Sequence, residues 1–150
     1  MTTTIQRLRE LPPGLSELVA EGERSGFRFL RRLMDEWTSG ANRFDCPGEA
    51  LFAARVGGRW IGVCGLNTDP YGATPRVGRV RHLYVATAFR RGGVGRQLVE
   101  AVLEAASGVY ERLRLRTNNP EAARFYERLG FRPCRGQAEC THVLELPGCA

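Results

Sequence analysis

The groups best suited to binding chemistry lie between residues 80 and 96. Val80-Arg81-His82-Leu83-Tyr84-Val85 reads as a strand, and Arg90-Arg91-Gly92-Gly93-Val94-Gly95-Arg96 reads as a glycine-rich turn opening a helix. The first N–H groups of a helix have no intrahelical partner and sit at the positive end of its dipole. They form a natural anion site. Glycines let phosphate oxygens approach the backbone, and flanking arginines add charge and donors. That combination suits a pyrophosphate. Two familiar phosphate loops are excluded. G-x-x-x-x-G-K-[ST] needs a Lys-Ser/Thr pair that is missing here, and G-x-G-x-x-G needs a third glycine where Leu98 follows Gly93-x-Gly95. Taken alone, the turn also reads as a tight bend whose glycines only permit geometry.

A second segment could supply a proton donor. Asn119-Pro120-Glu121 is a helix start, with Asn as cap, Pro in the first turn and an acid complementing the dipole. The helix runs to Leu129 and stops at Gly130. It carries Tyr126, whose phenol can donate a proton to a leaving group. Beside Phe125, Tyr126 reads equally as a core aromatic. His82 on the strand has an ordinary pKa suited to a base, provided that it faces the reacting groups, and a bulge would change its face.

These residues need elements to hold them. Strand character from Ile5 to Leu11 ends at Pro12-Pro13, and Leu15, Leu18 and Val19 have helical spacing. Phe27, Leu30, Leu33, Met34 and Trp37 predict a second helix ending by Gly40. Residues 49–56 and 59–66 read as strands joined at Gly57-Gly58, with a loop over 67–75 and a strand over 77–85. Val94, Leu98, Val102 and Leu103 give the helix behind the turn a buried stripe as far as Gly108. Leu113 and Leu115 mark a short strand, and residues 131–135 and 141–146 the final two. The order β-α-α-β-β-β-α-β-α-β-β is an α/β chain with a mixed sheet.

Composition narrows the setting. The 150 residues suit one domain with its own core, and the apolar and charged fractions are ordinary for a globular protein. No apolar run approaches the ~20 residues of a membrane span, and the first residues lack a signal peptide's apolar stretch, so a cytoplasmic protein without a membrane partner is expected. Five cysteines (Cys46, Cys64, Cys134, Cys140 and Cys149) include no C-x-x-C, and with only His82 and His142 beside them no metal site is expected. Cys134 and Cys140 could face each other across a terminal hairpin, but free thiols are expected in a reducing compartment. The net charge of +6 comes mainly from arginine. The arginines are scattered rather than gathered into a stripe with aromatics, so no nucleic-acid partner is expected. Apart from those at the turn, most read as solvated surface.

Arg90-Arg91-Gly92-Gly93-Val94-Gly95 resembles the acyl-CoA signature [QR]-x-x-G-x-[GA] of the GNAT (Gcn5-related N-acetyltransferase) superfamily. Residues 119–131, NPEAARFYERLGF, resemble that family's N-x-x-A-x-x-[FL]-Y-x-x-x-G-F helix. The resemblance is specific from about Val77 to Phe131 and architectural elsewhere. It implies one domain over residues 1–150, with a mostly antiparallel sheet of about seven strands, splayed between the fourth and fifth, and about four flanking helices. It also implies acetyl-CoA as cosubstrate, an amine acceptor, direct attack on the thioester, and a monomer or homodimer. Backbone groups of Leu83 and Val85 would hold the pantetheine arm, with the Val85 N–H near the thioester carbonyl. Arg90, Arg91, Gly92, Gly93, Val94, Gly95 and Arg96 would hold the pyrophosphate. Asn119 would reach the pantetheine, and Tyr126 would sit by the thioester sulfur.

The family's usual strand glutamate is missing from Arg79-Val80-Arg81-His82. The base is therefore His82, a water relay, or Glu49, Asp45 or Glu36 from the acceptor side. The missing carboxylate also leaves room for a non-catalytic CoA-binding sensor, whereas an intact Tyr126 favours an enzyme. The Val77–Val85 strand is expected beside Arg112–Thr117, the two parting at their C-terminal ends. The turn and the Asn119 helix each follow one of these strands and must converge on one ligand.

Overall fold

The computed structural model describes residues 2–147, so Cys149 lies outside the described residues. The elements are β1 (Thr3–Leu8), α1 (Leu15–Arg24), α2 (Phe29–Ser39), β2 (Ala50–Val56), β3 (Arg59–Thr68), β4 (Val77–Val85), a 3-10 turn (Thr87–Phe89), α3 (Val94–Ala106), β5 (Arg112–Leu115), α4 (Pro120–Arg128), β6 (Arg132–Pro133) and β7 (His142–Glu145). Seven strands form one sheet in the order β1-β2-β3-β4-β5-β7-β6. The sequence order of elements is the expected one, apart from the short turn at Thr87. The two last strands are shorter than the expected spans, because the chain between them follows loop geometry rather than pairing.

Every neighbouring pair is antiparallel except β4 and β5. A parallel pair needs a crossover, and α3 supplies it. Pairing of β4 with β5 is confined to Val77↔Arg112, Gly78↔Leu113 and Arg79↔Arg114. Beyond Arg79 the strands part, and residues 80–85 keep β3 as neighbour on one side only. The expected splay is therefore present.

Two layers of helix cover the sheet. Leu15, Leu18, Val19, Leu30 and Leu33 bury the faces of α1 and α2, while Val94, Leu98, Val99 and Val102 bury the face of α3. Each such side chain contributes about 1.5–3 kcal/mol when fully withdrawn from water. The layers are tight where the site is built. A Cβ on Gly65 would lie 2.7 Å from the Phe44 ring, so glycine at this point of β3 is what lets Phe44 lie on the sheet.

Arg79 and Arg114 depart from the expectation that most arginines are solvated. Both are buried, and Asp69 lies between them with its side chain fully enclosed, 3.6 Å from Arg79 Nη1 and 3.4 Å from Arg114 Nε. Arg79 also donates to the Glu139 carbonyl, and Arg114 to those of Tyr71 and Ala138. The cluster thus fastens the β3–β4 and β6–β7 loops to the sheet. Among the described residues no helix is long and apolar enough to cross a membrane.

Candidate functional site

The glycine turn leads into α3 as its sequence requires. Arg91 and Gly93 have φ of 65° and 84°, left-handed values that cost a side chain energy and glycine little. Gly93 caps α3 without a side-chain bond, and the first helical bond runs from Gln97 N–H to the Gly93 carbonyl at 3.0 Å. The N–H groups of Val94, Gly95 and Arg96 precede that bond and have no helical carbonyl to meet. Gly92 and Gly93 are exposed, with no side chain to cover the turn. The Arg96 side chain pairs with Glu100 at 2.9 Å along the helix, so what Arg96 presents to the turn is its backbone. The Gly95 Cα lies close to Phe125, where an added Cβ would stand 3.4 Å from the ring, and this brings α4 against the start of α3.

The splay exposes one edge of β4. Ala86 N–H donates to the Ile61 carbonyl at 2.7 Å, and Tyr84 pairs with Val63 two residues along, so these residues direct their backbone groups at β3. By the alternation of an antiparallel ladder, the N–H and C=O of Val85 point the other way, into the gap before β5. Leu83 borders the same gap. The Val85 carbonyl accepts a hydrogen bond from Arg90 Nε at 2.9 Å, and the Arg90 guanidinium stands 5.3 Å from the centre of the Tyr84 ring. Arg90 therefore folds back onto the strand rather than extending over the turn. A network continues behind it. Tyr84 donates to Glu21 at 2.6 Å, and Thr87 N–H donates to the same oxygen at 3.1 Å. Burial alone would raise the Glu21 pKa, but these bonds and the charges of Arg90 and Arg24 outweigh it and lower the pKa below its usual 4.5.

Tyr126 and Asn119 come from the other side of the gap. Asn119 Oδ1 accepts from Glu121 N–H at 2.9 Å and so caps α4, which leaves its exposed amide NH2 as the group free to meet a ligand. Tyr126 is buried, packed edge-on to Phe125 and Phe131 at ring distances of 5.2 and 5.4 Å. Its hydroxyl has no hydrogen-bond partner among the described residues. Burial, with the nearby Cys64 thiol adding to it, raises the phenol well above its usual pKa of 10.0. The group is therefore a proton donor at any physiological pH.

His82 sits in a β-bulge. The β3–β4 register passes from Gly65↔Arg81 to Val63↔Tyr84, so His82 and Leu83 together face one residue, Cys64. His82 has φ of 60°, a left-handed value that a bulge accommodates. Its ring lies 6.3 Å from that of Phe29 and 6.0 Å from that of Phe44, and its Nε2 is buried without a hydrogen-bond partner. The residue as a whole is only half-buried, yet the ring nitrogen is closed off, and the nitrogen governs titration. The expectation of an ordinary pKa is corrected accordingly. Burial first, then the charges of Arg81 and Arg32, pushes it down to about 3, so the imidazole is neutral and weakly basic.

The remaining base candidates separate in space. Glu49 accepts from Thr68 N–H at 3.0 Å, and Thr68 pairs with Gly78 at the far end of β4 from Val85. Asp45 and Glu49 line a hollow of about 350 Å³ with Arg7 and Cys46. A second hollow, of about 290 Å³, lies between α1 and the start of β3, lined by Glu17, Arg24, Arg59 and Trp60. The first lies toward the far end of β4, whereas Glu21 and Ala86 also line the second, which therefore adjoins the end of β4 next to Val85. Glu36, by contrast, approaches Arg81 to 3.9 Å, next to His82.

A family model described as an acetyltransferase (GNAT) domain matches residues 47–133. The chain belongs to the GNAT acetyltransferase family. No curated protein matches it in sequence. Among solved structures, a candidate acetyltransferase from Exiguobacterium sp. 255-15 is 29% identical over 97% of this chain and 94% of its own, with a TM-score of 0.85. A candidate GNAT-family acetyltransferase from Desulfovibrio desulfuricans is 21% identical over 96% and 99%, with a TM-score of 0.75. The ribosomal-protein-S18-alanine N-acetyltransferase of Escherichia coli is 18% identical over 99% and 97%, with a TM-score of 0.67. The last two show likeness of fold alone.

Within this GNAT fold, Leu83 and Val85 lie on the edge of β4 that parts from β5, the glycine turn follows β4, and Asn119 and Tyr126 belong to α4, which follows β5 and packs through Phe125 on the start of α3. The structure puts His82 on the α2 side of the sheet against Phe29 and Phe44. The buried Asp69–Arg79–Arg114 cluster escaped the sequence reading. Its only signal was an acid in a Pro- and Gly-bearing loop, since nothing local links residue 69 to residue 114. The four cysteines among the described residues are free: Cys46 is exposed, Cys64 and Cys140 are buried, and Cys134 is half-buried. Burial pushes the Cys64 thiol up to about 12, which makes it inert as a nucleophile. Among the described residues, no group of three or more His, Cys, Asp or Glu side chains could hold a metal ion.

Proposed function

We propose that the protein is an acetyl-CoA-dependent N-acetyltransferase that passes an acetyl group directly to a primary amine, in the cytoplasm. The full chain, residues 1–150, would serve as one such domain. The observation that carries the reading is the gap where β4 leaves β5, with β4 leading to the N-terminus of α3, which has no side-chain cap bond, and β5 leading to α4 and its buried, protonated Tyr126.

The residues fit the cosubstrate by type and direction. The N–H groups of Val94, Gly95 and Arg96, with those of the Arg90–Gly93 turn, receive the pyrophosphate. Arg91 adds charge, and Arg90 can swing from the Val85 carbonyl to a phosphate once the strand edge takes up the pantetheine. Leu83 and Val85 offer that edge, and the Asn119 amide can reach it from α4. An amine that attacks the thioester builds an oxyanion and then expels a thiolate. A strand N–H facing the gap suits the oxyanion, and Tyr126 suits the thiolate as proton donor. The raised pKa keeps the phenol protonated, so a proton is on hand as charge develops on the departing sulfur.

The test is to incubate the protein and acetyl-CoA with amines and peptides and to measure free CoA thiol together with acetylated product. Release of thiol only in the presence of an amine supports the reading. Tight CoA binding without transfer to any amine would favour the sensor reading.

A further inference from the structure

Two buried hydrogen-bonding atoms near the β4 bulge lack partners. Glu36 Oε2 and His82 Nε2 are each enclosed and unpaired. Leaving a buried polar atom unpaired costs about 1–3 kcal/mol, more for a charged group, so a donor from outside the chain is the expected remedy. The two atoms belong to elements packed against each other. Phe29, Leu33 and Glu36 share one face of α2 at i, i+4, i+7 spacing, and that face meets β4 at Arg81 and His82. Arg81 Nη2 approaches Glu36 Oε1 to 3.9 Å, which offsets the carboxylate's charge but is too long for a hydrogen bond. The Phe29 and Phe44 rings wall the imidazole on two sides.

We infer that Glu36 and His82 form the acceptor end of the site, with Glu36 taking the proton of an incoming primary ammonium and His82 Nε2 accepting a hydrogen bond from the same nitrogen. The inference rests on the function proposed above and names the base that the sequence left open. A primary ammonium carries several N–H donors and can satisfy both atoms together. The surrounding charges favour the transfer. From β4, Arg81, and from α2, Arg32, place positive charge around the imidazole, and burial acts in the same direction. The influences that keep His82 neutral also destabilise a bound ammonium relative to the free amine.

The protons and electrons then balance. R–NH3+ gives one proton to Glu36, and the nitrogen lone pair forms the C–N bond at the thioester carbon. The C–S bond breaks with its electron pair on sulfur, and the thiolate takes the Tyr126 proton. The nitrogen sheds its second proton, which restores the phenol, and Glu36 returns its own to solvent. The products are an amide, CoA thiol and one released proton.

The test compares wild type with Glu36→Gln, Glu36→Asp and Glu36→Ala in single-turnover acetyl transfer to butylamine, benzylamine, spermidine and the tripeptide Ala-Ala-Ala. CoA affinity is measured by calorimetry and folding by melting curves. Glu36→Gln should transfer about 10²–10⁴-fold more slowly with unchanged CoA affinity, the range typical of a lost general base. Glu36→Asp should keep an intermediate rate. Added formate should accelerate Glu36→Ala but leave wild type unaffected, a recovery that a purely structural glutamate would not show. A Gln variant as fast as wild type, or an Ala variant indifferent to formate, overturns the inference while the acetyltransferase reading stands. Unfolding of all three variants would make Glu36 a structural partner of Arg81 and overturn it equally. A wild type that binds CoA but acetylates none of these amines removes the function reading and this inference together.

Discussion

Replacing Asp69 by Asn removes one charge from the buried cluster while nearly preserving its shape. The Asp69 side chain is fully enclosed, and those of Arg79 and Arg114 are only 10% and 9% exposed. At an effective dielectric constant of about 20, a charge pair near 3.5 Å is worth about 4–5 kcal/mol. Breaking a buried pair by removing one partner typically costs ~3–5 kcal/mol. Two features place this substitution at the lower end. The guanidiniums keep their carbonyl partners at Glu139, Tyr71 and Ala138, and an Asn oxygen can still accept from Tyr71 N–H as Asp69 Oδ1 does at 2.9 Å. A loss of about 3 kcal/mol is expected, or a Tm lower by roughly 6–12 °C at ~2–4 °C per kcal/mol. Calorimetric melts of wild type and Asp69→Asn check it. A variant within about 1 kcal/mol of wild type would refute the reasoning, since the charges would then be screened by solvent.

Gly93→Val should weaken CoA binding, because φ of 84° strains any branched side chain and the new methyls would stand where the turn receives phosphate; calorimetry showing unchanged affinity in a folded variant would misplace the cradle. Glu21→Gln should destabilise the protein at neutral pH. The folded pKa of Glu21 is lowered from 4.5, so its contribution is present above that value and is lost as pH falls through the folded pKa. Urea melts should therefore show the gap between variant and wild type closing in acid, and a gap that persists there would contradict the assignment. Cys64→Ser should leave acetyl transfer within a few-fold of wild type when assayed on the folded variant, because a thiol raised to about 12 supplies no nucleophile; loss of chemistry with intact CoA binding would show otherwise.

Sequence spacing revealed most of the framework because its signals are local. Asn119-Pro120-Glu121 caps α4 as expected, with the Asn side chain bonded to Glu121 N–H. The glycine turn opens α3, and β4 parts from β5 beyond Arg79 as expected. What escaped depends on distant residues or on their environment. The pKa of His82 is set by Phe29, Phe44, Arg32 and Arg81 and by the bulge, and only the folded chain brings these together. The burial of Arg79 depends on Asp69 arriving from a loop and on carbonyls from the β6–β7 loop. Arg90 shows the same limit on a smaller scale. Its place in the turn suggests a phosphate ligand, whereas its side chain rests on the Val85 carbonyl.

The central claim, direct acetyl transfer with Tyr126 protonating the departing thiolate, is tested most directly by single-turnover transfer in wild type and Tyr126→Phe. Phenylalanine keeps the ring between Phe125 and Phe131 and removes only the proton. Enzyme loaded with acetyl-CoA is mixed with an accepted amine, and the acetylated amine and CoA thiol are quantified together over time. The account predicts equal amounts of both products in wild type. It also predicts transfer about 10²–10⁴-fold slower in the variant, with CoA affinity unchanged. A phenylalanine variant that transfers as fast as wild type would show Tyr126 to be packing alone and would contradict the account.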